Sequence, residues 1–249
     1  MALLFVRGEV MVALLTGFIT GCAIPIIDAV IQNWKYLRIV VACVRYYRTQ
    51  VRISVSYLFR IERGGKYLLV RGGRYPNQFQ PIGGVYKFHD SARPIFRSWK
   101  VETDDLIPID ISSKDDLRIR VEGRHLLRFF QWFESGKNRE IGPNRELYEE
   151  LIEPHLPPEK FLYTANDFLE RRVEKIGFSN FANSRELLIA DVYELVPTID
   201  QAVELDGLAT HASGEGNLIW ATADEIRRRG AKPGRTQNYQ ISSTSRWTI

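Results

Sequence analysis

A run of eighteen residues without a charge, residues 10–27, is the feature that most constrains the fold of this 249-residue chain. An α-helix needs about 20 predominantly apolar residues to cross the roughly 30 Å of hydrocarbon in a bilayer. The run therefore predicts an N-terminal transmembrane helix. A secretory signal peptide and a buried core helix are the alternatives. The aromatic and basic residues 34–38 favour the transmembrane helix, because such residues are typical of the edge of a membrane span.

Basic residues after the run predict its orientation. Between Asp28 and residue 52 the chain carries no further acid, and its cations are Lys35, Arg38, Arg45, Arg48 and Arg52. Because loops rich in Lys and Arg stay on the cytoplasmic side of a membrane, the rest of the chain is expected in the cytoplasm. The predicted domains are a transmembrane and juxtamembrane region, residues 1–49, and a cytoplasmic domain, residues 50–249.

Residues 36–48 form an amphipathic pattern within this basic segment. At helical spacing one face is apolar, with Leu37, Val40, Val41 and Val44. The pattern predicts a helix that lies among lipid headgroups or forms a short second membrane insertion.

Small residues recur every four positions in the charge-free run, at Ala13, Gly17 and Gly21. Such a stripe allows helix backbones to approach closely in lipid, which predicts a homo-oligomer formed through this segment. Simple flexibility of the glycines is the alternative interpretation.

Composition narrows the possible partners. The 34 Lys and Arg against 30 Asp and Glu give a net charge of +4, which is too small over this length to indicate a nucleic-acid polymer. The concentration of cations after the run points instead to anionic membrane lipids. Two cysteines, Cys22 and Cys43, exclude a disulfide framework.

From residue 50 onward the pattern predicts a mixed α+β domain. Apolar and polar residues alternate over residues 51–61, which indicates a half-buried strand, and residues 66–71 follow a Gly-Gly turn as its hairpin partner. Helices are predicted at residues 124–133 and 144–152, and further strands at residues 187–195 and 218–220. Thr222 and Glu225 form a capping box for a short helix.

Three glutamates are clustered in the second of these helices. Glu146 lies three and four positions from Glu149 and Glu150, so the three carboxylates share a helix face. Neighbouring carboxylates repel unless a cation neutralises them, and oxygen-rich clusters bind Mg²⁺ or Mn²⁺. A solvated acidic face near a helix N-terminus is the alternative, and the spacing alone leaves both open.

Residues 145–150, Arg-Glu-Leu-Tyr-Glu-Glu, match the R-E-U-x-E-E core of the Nudix box. Together with the segments at residues 57–61, 65–69 and 76–86, they make the chain resemble the SMODS-associated Nudix family. The resemblance implies an α/β/α sandwich with an insertion, behind an N-terminal membrane anchor. It further implies an effector of bacterial CBASS antiphage defence, in which the Nudix-like domain senses a cyclic oligonucleotide and the anchor disrupts the inner membrane.

The resemblance also assigns roles to particular residues. If the domain hydrolyses a substrate, Glu149 and Glu150 would bind Mg²⁺, Glu146 would be a ligand or general base, and Arg145 would orient them. Nucleotide-binding residues are expected at Gly83, Gly84 and Tyr86, after a glycine-rich turn, and at Arg74 in a basic loop.

The sequence departs from the catalytic Nudix pattern in three places. The glycine pair lies about sixty residues before Arg145, Lys137 stands where the box has a glutamate, and no glycine follows Glu150. These departures favour a nucleotide sensor over an enzyme. The alternatives are a membrane-anchored, Mg²⁺-dependent Nudix hydrolase of a nucleoside diphosphate derivative, and a tethered interaction domain that binds no nucleotide.

Overall fold

The computed structural model describes residues 34–73, 77–104, 113–174, 176–180, 182–209, 216–231 and 239–249. The charge-free run, residues 10–27, lies outside the described residues. So do the small-residue stripe of Ala13, Gly17 and Gly21 and the proposed phosphate contact Arg74.

The described residues alternate between strands and short helices. The strands are β1 (Gln50–Arg60), β2 (Glu62–Arg63), β3 (Lys66–Arg71), β4 (Gln78–Gln80), β5 (Gly83–Val85), β6 (Glu102–Thr103), β7 (Arg118–Glu122), β8 (Ala165–Val173), β9 (Gly177–Ser179), β10 (Ser184–Val196), β11 (Leu218–Thr222) and β12 (Gln240–Ile241). The α-helices are α1 (Trp34–Arg45), α2 (Arg93–Ser98), α3 (Leu126–Glu134), α4 (Asn144–Leu147), α5 (Glu153–His155), α6 (Ile199–Ala209) and α7 (Ala223–Arg227). A π-helical stretch, Tyr148–Ile152, joins α4 to α5, and 3₁₀ turns cover Asp90–Ala92, Gly123–His125, Pro158–Phe161 and Ser243–Thr248.

The first sheet is built around β1. Its strands follow the order β6, β7, β1, β10 and β8, with β5 paired to β1 and β9 paired to β10. Strand β1 is parallel to β10 and antiparallel to β7 and β5. The alternation predicted for residues 51–61 is confirmed, because Val51, Ile53, Val55, Tyr57 and Phe59 are all fully buried on one face.

The second sheet contains β11, β3, β4 and β12 in that order, with β2 paired to β3. The predicted turn at Gly64 and Gly65 is present, and both residues have positive φ values, 58° and 75°. The predicted hairpin is present only next to the turn, where β2 pairs with β3 and the N–H of Leu68 donates to the carbonyl of Ile61. Strand β1 itself does not pair with β3, whose other partners are β11 and β4. Both edges of β1 are already occupied by β10 and by β7 and β5, so the returning strand enters the other sheet.

The predicted fold class, with an N-terminal transmembrane helix region, needs correction for the residues that the structure describes. Within the ranges that the structure describes, no helix is both long enough and apolar enough to cross a membrane. Helix α1 has 12 residues and packs on the domain, with Ile39 and Ala42 buried and the Tyr36 ring edge-on to Phe130 at 5.5 Å. The described fold is therefore a mixed α/β structure to which α1 belongs.

The apolar face predicted for residues 36–48 is exposed on α1. The face that carries Leu37, Val40, Val41 and Val44 points away from the domain, and Val44 is 75% exposed. The opposite face packs instead, through smaller and aromatic side chains. Within the described residues, α1 covers 12 residues, fewer than a membrane span needs.

The 3₁₀ turn before α3 holds α1 against the domain, and this contact has a testable energetic consequence. A methyl group on Gly123 would lie 2.1 Å from the carbonyl oxygen of Tyr46, just after α1. Gly123→Ala is therefore expected to lower the free energy of unfolding by about 1–3 kcal/mol in urea denaturation of the full chain. Gly142→Ala is the matched control, because a methyl group there would meet no atom within 4 Å. Equal losses in the two variants would contradict the packing described for α1.

Candidate functional site

The glutamate cluster lies on a helical segment, residues 144–155, that combines α4, the π-helical stretch and α5. The predicted helix over residues 144–152 is confirmed, although its geometry changes at Tyr148. Pro154 has no N–H to donate to the carbonyl of Glu150, and the loss of that bond is compatible with the wider π-helical turn. Leu147, Leu151 and Ile152 are buried in the core, which fixes the rotation of the segment. In this rotation Glu146 and Glu150 are half-buried and Glu149 is exposed.

The glycine pair, Gly83 and Gly84, lies directly against this segment. The backbone N–H of Gly83 donates a hydrogen bond to Oε2 of Glu150 over 3.1 Å. A methyl group on Gly84 would lie 2.3 Å from Cγ of Glu146, so this close approach requires glycine. The long separation in sequence is thus closed in space, because the glycine pair contacts Glu146 and Glu150 directly.

Arg145 is the cation at the centre of the cluster. Its Nη1 lies 2.5 Å from Oε1 of Glu146 and 3.5 Å from Oε2 of Glu149. Its Nη2 donates to the carbonyl of Val85 over 3.3 Å, which ties the guanidinium to β5. The predicted orienting role of Arg145 has a physical basis in these contacts, because one planar guanidinium holds two carboxylates and a backbone oxygen.

Glu140 is a member of the site that the sequence pattern did not predict. Its Oε1 lies 3.2 Å from Nε of Arg145. Its backbone N–H donates to the carbonyl of Lys87 over 2.8 Å, and its Oε2 accepts a hydrogen bond from the N–H of Lys87. The glutamate sought at Lys137 is therefore replaced by one three residues later. Asn138, with a φ of 63°, marks the turn that brings Glu140 to Arg145.

We call Glu140, Glu146, Glu149 and Glu150 the acid cluster. Burial raises the pKa of Glu150 to about 7, although the hydrogen bond from Gly83 opposes this shift. Burial also raises the pKa of Glu146, against the effect of Arg145. A carboxyl group with a pKa near 7 can both take up and release a proton at neutral pH, so Glu150 has the property required of a general acid or base.

Tyr57 of β1 closes the buried side of the acid cluster. Its side chain is fully buried. The pKa of its hydroxyl lies above the ordinary value, mainly because of burial and secondly because of the nearby Glu140 carboxylate. The hydroxyl therefore stays protonated at neutral pH. Its apolar surroundings reduce the solvation of the neighbouring carboxylates.

Tyr86, expected to contact a nucleotide, lies in the core. Its ring is fully buried and packs edge-on against Tyr57 and Phe133. Its hydroxyl donates to Oδ2 of Asp191 over 2.9 Å and lies 3.1 Å from the hydroxyl of Tyr193. In this arrangement the ring has no exposed face for a base, because alternation along the strand turns it inward next to the glycine pair.

Two mixed sheets, with a glutamate-bearing helix packed against a glycine pair, define the Nudix class of domain. The model of the SMODS-associated NUDIX domain matches residues 50–249, so the chain belongs to the SMODS-associated Nudix family. This family supports the expected association with CBASS. Comparison with the curated proteins gives no match.

Nudix domains commonly use Mg²⁺ or another divalent cation, and the acid cluster does not fit such an ion in its present arrangement. Oε1 of Glu146 is paired with Arg145, and Oε2 of Glu150 accepts the N–H of Gly83. Across the described ranges, no three His, Cys, Asp or Glu side chains converge in a geometry that could hold a metal ion.

The raised pKa of Glu150 predicts a pH dependence of stability. Glutamate has an ordinary pKa of 4.5, so between pH 4.5 and about 7 the folded chain holds a proton that the unfolded chain has lost. The stabilisation is present below pH 4.5 and is lost as the pH rises through 7. Glu150→Gln removes this dependence, so the variant should gain about 1–3 kcal/mol relative to the wild type between pH 5 and 8.

Urea denaturation of the two proteins at pH 5 and pH 8 measures this difference. Glu153→Gln is the control, because Glu153 is exposed on the same helical segment. If the wild type and Glu150→Gln lose stability in parallel over this interval, Glu150 does not titrate near pH 7.

Proposed function

We propose that this chain is a CBASS effector whose Nudix-like domain binds a cyclic oligonucleotide as a sensor and does not hydrolyse it. The observation that carries the proposal is the set of ion pairs made by Arg145 with Glu140, Glu146 and Glu149. Arg145 is thus a positive charge of the protein itself that neutralises these carboxylates in place of a metal ion. The carboxylates are thereby organised as hydrogen-bond acceptors and not as a metal site.

The acid cluster suits the base of a nucleotide better than its phosphates. The cluster has four carboxylates, three of them paired with the single guanidinium of Arg145, so it repels a phosphate and accepts hydrogen bonds from amino and imino groups. Carboxylates read exposed base edges through such groups in nucleic-acid recognition. Glu149 is suited to this contact because its side chain is 55% exposed.

The response to the ligand is proposed to pass through α1. This helix packs on α3 through Tyr36 and Phe130 and is the described element that connects the domain to residues 1–33. Helix α3 lies in the segment between β5 and α4, which forms part of the acid cluster. A ligand that shifts this segment would therefore also shift α3, and with it the contact with α1.

A second candidate function is Mg²⁺-dependent hydrolysis of a nucleoside diphosphate derivative. Two observations favour it: the excess of carboxylates over guanidinium in the acid cluster, and a pKa of about 7 at Glu150. Turnover of such a substrate should then depend on Mg²⁺ and disappear in Glu150→Gln. The sensor proposal requires no turnover and retained binding in the same variant.

Calorimetry of the full chain with cyclic di- and trinucleotides tests the sensor proposal. We expect one of these ligands to bind and to be recovered unchanged by chromatography, with and without Mg²⁺. Gly84→Ala should weaken binding about tenfold or more, because the added methyl group displaces Glu146. Gly142→Ala, whose methyl group meets no neighbour, should bind as the wild type does.

The outcomes separate the candidate functions. Binding with recovery of intact ligand supports the sensor. Mg²⁺-dependent conversion of the ligand contradicts it and supports the hydrolase. Binding that is equal in Gly84→Ala and the wild type would show that the ligand does not contact the acid cluster.

A further inference from the structure

A pocket of about 450 Å³ lies away from the acid cluster, between β9, β10 and the 3₁₀ turn Ser243–Thr248. We call it the aromatic pocket. Its volume falls within the range of about 300–1,000 Å³ that is usual for small-molecule sites. None of the acid-cluster residues lines it.

The aromatic pocket and the acid cluster use opposite faces of the first sheet. On β10, the side chains of Glu186 and Leu188 line the pocket. The alternating residues, Leu187 and Ile189, are buried in the core. Because successive side chains of a strand point to opposite faces, the two sites do not share a surface. Tyr57 at the acid cluster is in register with Asp191, on the core side.

Two aromatic side chains from different elements line the pocket, Phe178 of β9 and Trp247 of the 3₁₀ turn. Phe178 is 55% exposed, and the Arg185 guanidinium lies over its ring with Cζ 5.8 Å from the ring centroid. Trp247 is held in place because its Nε1 donates to Oε1 of Glu174 over 3.1 Å. Aromatic rings in such a setting are stacking surfaces for planar ligands.

Polar groups around these rings are mostly hydrogen-bond acceptors. Glu174 keeps a second carboxylate oxygen, Oε2, beyond the one that binds Trp247. Hydroxyls of Ser179 and Thr244 also line the pocket and can donate or accept. This set matches a planar ring that carries amino groups.

The charges of the lining are nearly balanced and do not single out an anionic ligand. Glu174 and Glu186 line the pocket with one cation, Arg246. Glu186 is further paired with the buried Arg52. The pocket therefore carries little net charge with which to attract phosphate groups.

We propose that the aromatic pocket binds an amino-bearing heteroaromatic ring of the nucleobase class, as an uncharged nucleoside or free base. The ring stacks on Phe178 and Trp247, and its exocyclic amino group donates to Glu174. The site is independent of the acid cluster and of the function proposed for it.

Calorimetric titration of the full chain with adenosine, guanosine, cytidine and uridine tests this proposal. We expect saturable binding of at least one of the amino-bearing nucleosides, weaker binding of uridine, and no gain in affinity when adenosine is replaced by adenosine monophosphate. Phe178→Ala should weaken binding about tenfold, which is the usual effect of removing one stacking ring. Phe168→Ala is the matched control, because Phe168 is 53% exposed on the neighbouring strand β8 and does not line the pocket.

Equal affinity in Phe178→Ala and the wild type would overturn the proposal, and so would the absence of binding by all four nucleosides at millimolar concentration. Glu174→Gln adds a readout that a packing effect would not give. It should reduce the preference for adenosine over uridine, because the amide offers a poorer acceptor to the amino group. The Gly84→Ala variant should keep its nucleoside affinity, so failure at the acid cluster and failure at this pocket are distinguishable.

Discussion

Strand β1 determines where every other part of the domain can lie. One edge pairs with β10 in parallel, from Val51 with Arg185 to Arg60 with Glu194. The other edge is shared by two strands, since β7 pairs with its first half and β5 with its second. Strand β1 supports the glycine pair by pairing with β5. Its buried face also carries Tyr57, which forms the buried side of the acid cluster.

The shared edge of β1 explains how residues far apart in sequence come together at the acid cluster. After β5, the chain forms α2, β6, β7 and α3, and it returns to the acid cluster at α4. Strands β5 and β7 pair with the same edge of β1. The segment inserted between β5 and α4 therefore begins and ends near the glycine pair. Lys87 and Glu140 join its two ends through paired backbone and side-chain hydrogen bonds, and this connection positions Glu140 at Arg145.

Local patterns in the sequence predicted the elements better than their arrangement. Alternation found β1, and the capping box at Thr222 and Glu225 is present as expected. Pairing was not accessible, because the Gly-Gly turn specifies a hairpin without stating which strand precedes it. Glu140 was missed for the same reason, since its role depends on a long-range contact with Lys87. The pKa of Glu150 comes from burial, which a helix pattern alone does not define.

The parallel pairing of β1 with β10 has a consequence for synthesis of the chain on the ribosome. Partners in this pair are more than 130 positions apart, as for Val51 and Arg185. Contacts of such high sequence separation slow folding, because a long loop must close before they form. On the ribosome, the edge of β1 that pairs with β10 therefore stays unpaired until β10 has emerged from the exit tunnel. An unpaired strand edge is a site at which a partly synthesised chain can associate with another chain.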